Sequence, residues 1–154
     1  MYTTLDLINK TIIIARKRQD MYKKISSLDS QHFTTAMIAN TLVIDAKKTL
    51  LYYEKLKMEV EDGQEEIDFA TYDKISFLIN EFKRRFVSPT IYDVENLLKF
   101  SLDFEKQVIA LFIDIQGRLI HDKYDVEKNT YKILSSIIEA KQKHINNLEM
   151  YIKE

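Results

Sequence analysis

Glycine and proline, the residues that form most tight turns, are nearly absent from this chain: its 154 residues include two glycines and one proline. A chain with so few turn residues makes few reversals of direction. Its many leucine, isoleucine, lysine and glutamate residues are typical of long helices. The sequence therefore predicts an all-α fold built from a few long helices. A chain of this length is expected to form a single domain over residues 1–154.

The charge balance and the lack of cysteine exclude several classes of function. Lysine and arginine number 23 and aspartate and glutamate 24, so no broad electrostatic attraction to nucleic acid or to an anionic membrane is predicted. Cysteine is absent, which excludes disulfides, thiolate metal ligands and cysteine nucleophiles. The N-terminal segment carries polar residues every few positions. It therefore predicts neither a signal peptide nor a membrane span, and the expected location is the cytoplasm.

Apolar residues recur at steps of three and four residues in long segments, which is the pattern of one face of a helix. The segments with this pattern are roughly 4–27, 31–60, 91–120 and 125–152. The stretch 64–90 is expected to hold a shorter helix and then Pro89, which cannot continue a helix. The predicted arrangement is two helix hairpins joined by a long crossover that contains a short helix.

The two predicted hairpins resemble each other in sequence. The first helix can be laid on the third without a gap, and the second on the fourth. This superposition pairs Ala15 with Glu105, Ala46 with Lys141, and Thr49 with His144. The repeat favours a four-helix bundle built from two related halves.

Three polar residues interrupt the apolar faces of the third and fourth predicted helices. Glu105 stands at helical spacings from apolar residues on every side: Leu98, Leu102, Val108, Ile109 and Phe112. Lys141 is placed in the same way among Ile137, Ile138 and Ile145, and His144 lies one turn beyond it. An unpaired charge in a bundle core costs several kcal/mol, so such residues normally pair or bind an ion. We therefore predict a buried Glu105–Lys141 ion pair with His144 beside it.

Four segments carry a resemblance to a known family: TIIIARKRQDMYKKI, DAKKTLLYYEKL, FEKQVIALFIDI and IIEAKQKHINNLEMYI. They resemble the four main helices of ferritin-like proteins of the rubrerythrin kind. In that family the third helix carries a glutamate followed seven residues later by an aromatic, and the fourth carries Glu-x-x-His. The resemblance implies a ferritin-like four-helix bundle. The rubredoxin-type iron centre of full-length rubrerythrins is not expected, because the chain lacks cysteine.

The resemblance also implies a degenerate metal site. A di-iron carboxylate site takes one glutamate from each of two helices and Glu-x-x-His from each of the other two. Glu105 and His144 match two of these ligands in type and are interpreted as vestigial ligands. The other ligand positions hold residues that bind no metal: Ala15, Ala46, Thr49 and Lys141. His32 and His121 have no partner at ligand spacing and are interpreted as solvated surface residues.

The expected function is that of a metal-free, non-enzymatic protein that acts through protein–protein contacts, with no catalytic residue and no cofactor. A homodimer is favoured, because four aromatic residues exceed what a single core stripe needs: Tyr52, Tyr53, Phe82 and Phe86. The alternative interpretation of these rings is a core filled with large side chains. The identity of a different protein partner is left open.

Two other functions stay open at this stage. One is a di-iron or single-metal oxidoreductase that removes peroxide or oxygen, with iron held by a rearranged set of ligands that includes Glu105 and His144. The other is a carrier of a small molecule, bound in a pocket where Ala15, Ala46 and Thr49 replace larger ligand side chains.

Overall fold

The structure, a computed structural model, describes residues 2–27, 32–60, 65–86, 90–91 and 93–153. The described residues form five α-helices: α1 (Thr4–Ser26), α2 (Phe33–Val60), α3 (Phe69–Arg85), α4 (Val94–Arg118) and α5 (Asn129–Lys153). They also form a 3₁₀ helix, Lys123–Glu127, and two short strands, β1 (Tyr2–Thr3) and β2 (Glu66–Ile67). The prediction of an all-α fold is confirmed.

The predicted helices correspond to α1, α2, α4 and α5, and the short helix of the crossover corresponds to α3. The fourth long helix begins later than predicted, because a 3₁₀ helix precedes it. Asp122 and Asp125 form a capping box at the start of that 3₁₀ helix, and Lys128 ends it in an extended conformation. Pro89, at which the sequence predicts a break, lies outside the described residues.

The two short strands were not expected from the helical pattern. They pair antiparallel, with Tyr2 opposite Ile67 and Thr3 opposite Glu66. The ring of Tyr2 stacks on that of Tyr72 in α3, with 3.8 Å between their centroids. This ladder joins the segment before α1 to the segment before α3.

The chain divides into two compact units. The α1–α2 unit comprises residues 5–62 and 87–100, and the α3–α5 unit comprises residues 1–4, 63–86 and 101–154. A single domain over 1–154 and a ferritin-like connection of the helices stay predictions. No helix in the described ranges has both the length and the apolar character needed to span a membrane.

In the α1–α2 unit, the core lies between two antiparallel helices and the start of α4. Its buried members are Tyr22, Ile25, Ala39, Leu42, Ala46, Ile91 and Leu97. Ala39 and Ala46 are wholly buried, and their small side chains lie two turns apart on the same face of α2. This spacing lets the backbone of α2 approach its neighbours closely.

In the α3–α5 unit, α4 and α5 run antiparallel. Gln116, near the end of α4, donates to the backbone oxygen of Tyr131 and to Ser135 near the start of α5. Lys106, one turn into this part of α4, pairs with Glu149 near the end of α5 at 3.2 Å. The buried face of α4 is rotated slightly from the predicted one, because Leu98 and Leu102 are only half-buried. In this unit the buried residues of α4 include Ser101, Phe104, Val108 and Ile115, whereas Leu97 belongs to the core of the α1–α2 unit.

Two of the four aromatic residues expected at a dimer face pack inside this unit. The Phe82 and Phe86 rings contact that of Phe104, at centroid distances of 5.9 Å and 4.7 Å. Phe82 is buried and Phe86 is half-buried. In the other unit, Tyr53 is buried and Tyr52 is half-buried. Their burial favours the alternative interpretation, in which large rings fill the core.

Candidate functional site

The three polar residues singled out by the sequence meet in the α3–α5 unit. The ammonium Nζ of Lys141 donates to Oε2 of Glu105 at 2.9 Å. The Glu105 side chain is 0% exposed and that of Lys141 is 8% exposed. Nδ1 of His144 lies 3.7 Å from the same carboxylate oxygen. Helices α4 and α5 thus bring a carboxylate, an ammonium and an imidazole to one buried point.

The helical register explains why these side chains meet. Glu105 lies on the face of α4 that also buries Val108 and Phe112, and Lys141 lies on the face of α5 that buries Ile137 and Ile145. Because α4 and α5 run antiparallel, these two faces are in contact along the hairpin. His144 is three residues beyond Lys141, which places it on the same side of α5. Both members of the pair are therefore held on helices, and neither side chain comes from a loop.

The chemistry of the pair follows from its burial. A charge-assisted hydrogen bond of this length is stronger than one between neutral groups. The desolvation of each ion is offset only by the other ion and by neighbouring hydrogen bonds, so loss of either partner leaves an uncompensated buried charge. An ammonium beside the carboxylate also repels any cation that approaches the same oxygen.

The other positions of the implied ligand set lie in the α1–α2 unit. Ala15 and Ala46 are buried, and neither side chain has a donor atom. The Thr49 hydroxyl donates to the backbone oxygen of Asp45 at 3.3 Å. Within the described residues, no group of three or more histidine, aspartate or glutamate side chains stands close enough to hold a metal ion. A vestigial metal role for Glu105 and His144 stays a prediction.

A buried charge that the sequence analysis missed is Arg18 in α1. Its side chain is 1% exposed, and Nη2 lies 3.4 Å from Oδ2 of Asp45 in α2. The guanidinium carbon also lies 5.4 Å from the centre of the Tyr22 ring, within the range of a cation–π interaction. The signal was present in the sequence, because Arg18 falls between Ala15 and Tyr22 on the buried stripe of α1. Helical spacing identifies Arg18 by the same argument that identifies Glu105.

A second polar cluster in the α3–α5 unit lies at the start of α5. The Glu65 carboxylate accepts hydrogen bonds from the backbone nitrogens of Asn129 (2.9 Å) and Thr130 (2.7 Å). It also accepts one from the Thr130 hydroxyl at 2.9 Å. Burial acts to raise the pKa of Glu65, but the hydrogen bonds from Thr130 and Asn129 together lower it below its ordinary value. Glu65 therefore satisfies backbone donors at a helix N-terminus, where a negative charge is favoured.

Asp125 organises the loop that precedes α5. Its carboxylate accepts from the backbone nitrogens of His121 (2.6 Å) and Asp122 (3.0 Å). Lys128 Nζ lies 3.0 Å from its other oxygen. The hydrogen bond from His121, followed by those from Asp122 and Lys128, lowers the pKa of Asp125 from its ordinary value of 3.8 to about 2. The same ion pair raises the pKa of Lys128.

His121, which the sequence predicts to be a solvated surface residue, has two polar neighbours in this cluster. Its side chain is 61% exposed, and Nε2 lies 3.3 Å from a carboxylate oxygen of Asp68. The same nitrogen is 3.0 Å from the Thr71 hydroxyl. Asp68 caps α3 by accepting from the backbone nitrogen of Thr71, and the Thr71 hydrogen bonds hold the pKa of Asp68 below its ordinary value. The pocket among these groups has a volume of about 60 Å³, and three of the carboxylates that line it, those of Glu65, Asp68 and Asp125, serve as helix and loop caps.

Comparison of this chain with protein-family models, with curated proteins and with solved structures finds no match.

Proposed function

We propose that this protein is a metal-free, non-enzymatic, ferritin-like four-helix bundle that acts through protein–protein contacts. The observation that carries the proposal is the hydrogen bond of 2.9 Å from Lys141 Nζ to Glu105 Oε2. By the resemblance to the rubrerythrin type, these two positions are those of glutamate ligands in α4 and α5. A lysine of the chain itself thus stands where the family places a glutamate ligand, and it is hydrogen-bonded to the glutamate that matches another.

The chemistry of the pair supports a site without metal. An iron ion that bound Glu105 would have to displace an ammonium already hydrogen-bonded to the carboxylate, and it would then lie beside a positive charge. The ordinary carboxylate-rich site supplies several negative charges to the metal. Here the carboxylate charge of Glu105 is balanced within the chain by Lys141.

The order of the elements supports the ferritin-like part of the proposal. Two long helices, α1 and α2, are followed by the 17-residue helix α3 and then by two more long helices, α4 and α5. Each long pair runs antiparallel. Two hairpins joined by one long crossover is the ferritin-like connection. The location that goes with this proposal is the cytoplasm.

The proposal is tested by the metal content of the protein. The chain is purified without chelator, and a second sample is loaded with ferrous iron under anaerobic conditions; both are then measured by elemental analysis. We expect much less than one iron, manganese or zinc ion per chain in both samples. One or two tightly held ions per chain would overturn the proposal in favour of the oxidoreductase, and loss of those ions in Glu105→Ala would identify the site.

The homodimer that goes with this proposal needs a separate measurement. Tyr53 and Phe82, from which a dimer face was expected, are 2% and 7% exposed, so they offer no surface to a second copy. A homodimer therefore stays a prediction that rests on other residues. Sedimentation equilibrium over a range of protein concentrations measures it directly.

A further inference from the structure

Helix α2 is apolar on two opposite sides. One side carries the buried residues that pack in its own unit, among them Ala39, Leu42 and Ala46. The other side carries large apolar residues that are each more than half exposed: Phe33, Met37, Ile44, Leu51 and Met58. A helix that is apolar all round is normally covered on all sides. The exposed apolar side of α2 is therefore expected to be covered by another molecule.

Four of the exposed residues form a regular line, which we call the α2 stripe: Met37, Ile44, Leu51 and Met58. They recur at intervals of seven residues. Seven residues fall about 20° short of two full turns, so the four side chains stay within an arc of about 60°. The stripe is about 31 Å long at 1.5 Å per residue. A seven-residue repeat is the spacing at which one helix packs along another.

The charges along the α2 stripe are mainly positive: three exposed lysines stand on this side of the helix against two exposed glutamates, Glu54 and Glu59. Lys48 follows Ile44 by one turn, and Lys55 follows Leu51 by one turn, while Lys47 lies beside them; all three lysines are exposed. No ion pair joins these lysines to an acidic side chain within the described part of the chain. Of the two glutamates, Glu54 lies 3.5 Å from Arg16 of α1, and Glu59 stands at the C-terminal end of the stripe beside Met58.

We infer that the α2 stripe is a docking surface for an acidic amphipathic helix of another protein. The apolar side of that helix covers Ile44 and Leu51, and its carboxylates pair with Lys47, Lys48 and Lys55. The inference rests on the proposed function, because a protein that acts through contacts needs a contact surface. Charge complementarity selects the partner: apolar residues supply contact area, and the lysines favour a negatively charged helix over a neutral or basic one.

Two simple ways of pairing the stripe with a second copy of this chain place lysine beside lysine. If two α2 helices pair antiparallel with Ile44 against Leu51, Lys47 of each lies opposite Lys48 of the other at the centre of the interface. If they pair parallel in register, each lysine lies beside its own copy. Like charges placed in this way oppose association.

A membrane surface also fits the stripe poorly. A helix that lies in a bilayer interface needs a wide apolar face. Here the apolar arc is narrow, and Lys48 and Lys55 lie within it or at its edge, so insertion of Ile44 and Leu51 would carry both ammonium groups toward the hydrocarbon.

The test uses a fluorescent synthetic peptide of about four heptads, with leucine at positions a and d and glutamate at e and g. The glutamates oppose pairing of the peptide with itself and complement the lysines. Binding to the full chain is measured by fluorescence anisotropy. We expect saturable binding that weakens as salt is added, and no binding of a matched peptide with lysine in place of glutamate.

Variants of the full chain locate the binding. Ile44→Ser with Leu51→Ser, and separately Lys48→Glu with Lys55→Glu, are each expected to weaken peptide binding by at least about tenfold. Ile113→Ser removes an apolar residue of α4 that is 53% exposed, and this control leaves binding unchanged. Circular dichroism melting of each variant checks that the fold is kept.

Each other outcome overturns the inference in a defined way. No saturable peptide binding up to about 1 mM removes the proposed partner class. If the protein co-sediments with vesicles of phosphatidylcholine and phosphatidylserine, loses this binding in Ile44→Ser with Leu51→Ser, and does not bind the peptide, the partner of the stripe is a membrane surface and not a helix. A dimer in sedimentation equilibrium that is abolished by Ile44→Ser with Leu51→Ser replaces it with a second copy. If the protein binds the peptide but also holds iron, only the proposed function is contradicted. If the protein is metal-free and does not bind the peptide, only this inference is contradicted.

Discussion

The two antiparallel helix pairs of this chain each hold a buried charge whose counter-charge lies on the neighbouring helix, and the two ion pairs differ in their contact with water. Between α4 and α5, Glu105 is 0% exposed and Lys141 is 8% exposed, with 2.9 Å between the charged atoms. Between α1 and α2, Arg18 is 1% exposed but Asp45 is 42% exposed, at 3.4 Å. The acid belongs to the first helix of one pair and to the second helix of the other.

This difference indicates that the burial of one charge does not by itself make an ion pair important for the free energy of unfolding, because the exposure of its partner also matters. Water reaches the Asp45 carboxylate and screens its interaction with Arg18, so this pair resembles a surface salt bridge on its acidic side. Neither member of the Glu105–Lys141 pair has that access. Each of these two ions depends on the other and on nearby polar groups for stabilisation. The two ion pairs are therefore expected to respond differently to the same kind of mutation.

The largest expected effect comes from removing the cation of the fully buried pair. Lys141→Met is expected to lower the free energy of unfolding by about 3–5 kcal/mol, because it leaves the Glu105 carboxylate buried without its ammonium. Glu105→Leu combined with Lys141→Met is expected to be far more stable than the single variant, because it removes both charges. Urea unfolding followed by circular dichroism measures both. Equal stability of the single and the double variant would mean that burial gives the Glu105–Lys141 pair no special energetic role.

A smaller effect is expected from neutralising each acid in turn. Glu105→Gln leaves the Lys141 ammonium buried without a carboxylate and is expected to lower the free energy of unfolding by about 3 kcal/mol. Asp45→Asn removes a carboxylate that water already screens, and a loss of about 1 kcal/mol or less is expected. The same urea titration, run at low and at high salt, sharpens the contrast, because added salt should reduce the effect of Asp45→Asn more. If Asp45→Asn proves as damaging as Glu105→Gln, exposure does not distinguish the two pairs.

The smallest effect concerns the charges before α5, and it depends on pH. The pKa of Asp125 is held at about 2, below its ordinary value of 3.8, chiefly by the hydrogen bond from the His121 backbone. A lowered pKa means that the ionised carboxylate stabilises the fold fully above about pH 4 and that this stabilisation is lost as the pH falls through about 2. We therefore expect the difference in melting temperature between the wild type and Asp125→Asn to shrink between pH 5 and pH 2.

Asp73→Asn is the matched control for this pH series, because Asp73 is an exposed carboxylate on α3. Its difference from the wild type should stay small and nearly constant over the same range. Parallel curves for the wild type and Asp125→Asn would contradict the role given to this carboxylate.

Local pattern was sufficient to predict the all-α class, the approximate positions of the helices and one part of the candidate site. The helices follow from apolar residues at steps of three and four, and a helix is stabilised by hydrogen bonds within its own segment. The meeting of Glu105, Lys141 and His144 follows from the same spacing, once α4 and α5 are joined as an antiparallel pair. The exposed α2 stripe was not recognised, because periodicity places residues on a face but does not say which of two apolar faces will be covered.

Apolar periodicity is enough to establish that this chain is helical, where its long helices lie, and which residues of α4 and α5 share a face. The pairing of β1 with β2, the choice of Asp45 as the partner of Arg18, and the capping of α5 by Glu65 became visible only in the folded chain. The hydrogen bond between Thr4 and Glu65 joins residues 61 positions apart, and that between Glu65 and Asn129 joins residues 64 apart. The physical reason is that helical pattern reports interactions within one turn, whereas these contacts depend on how distant segments are brought together when the core packs.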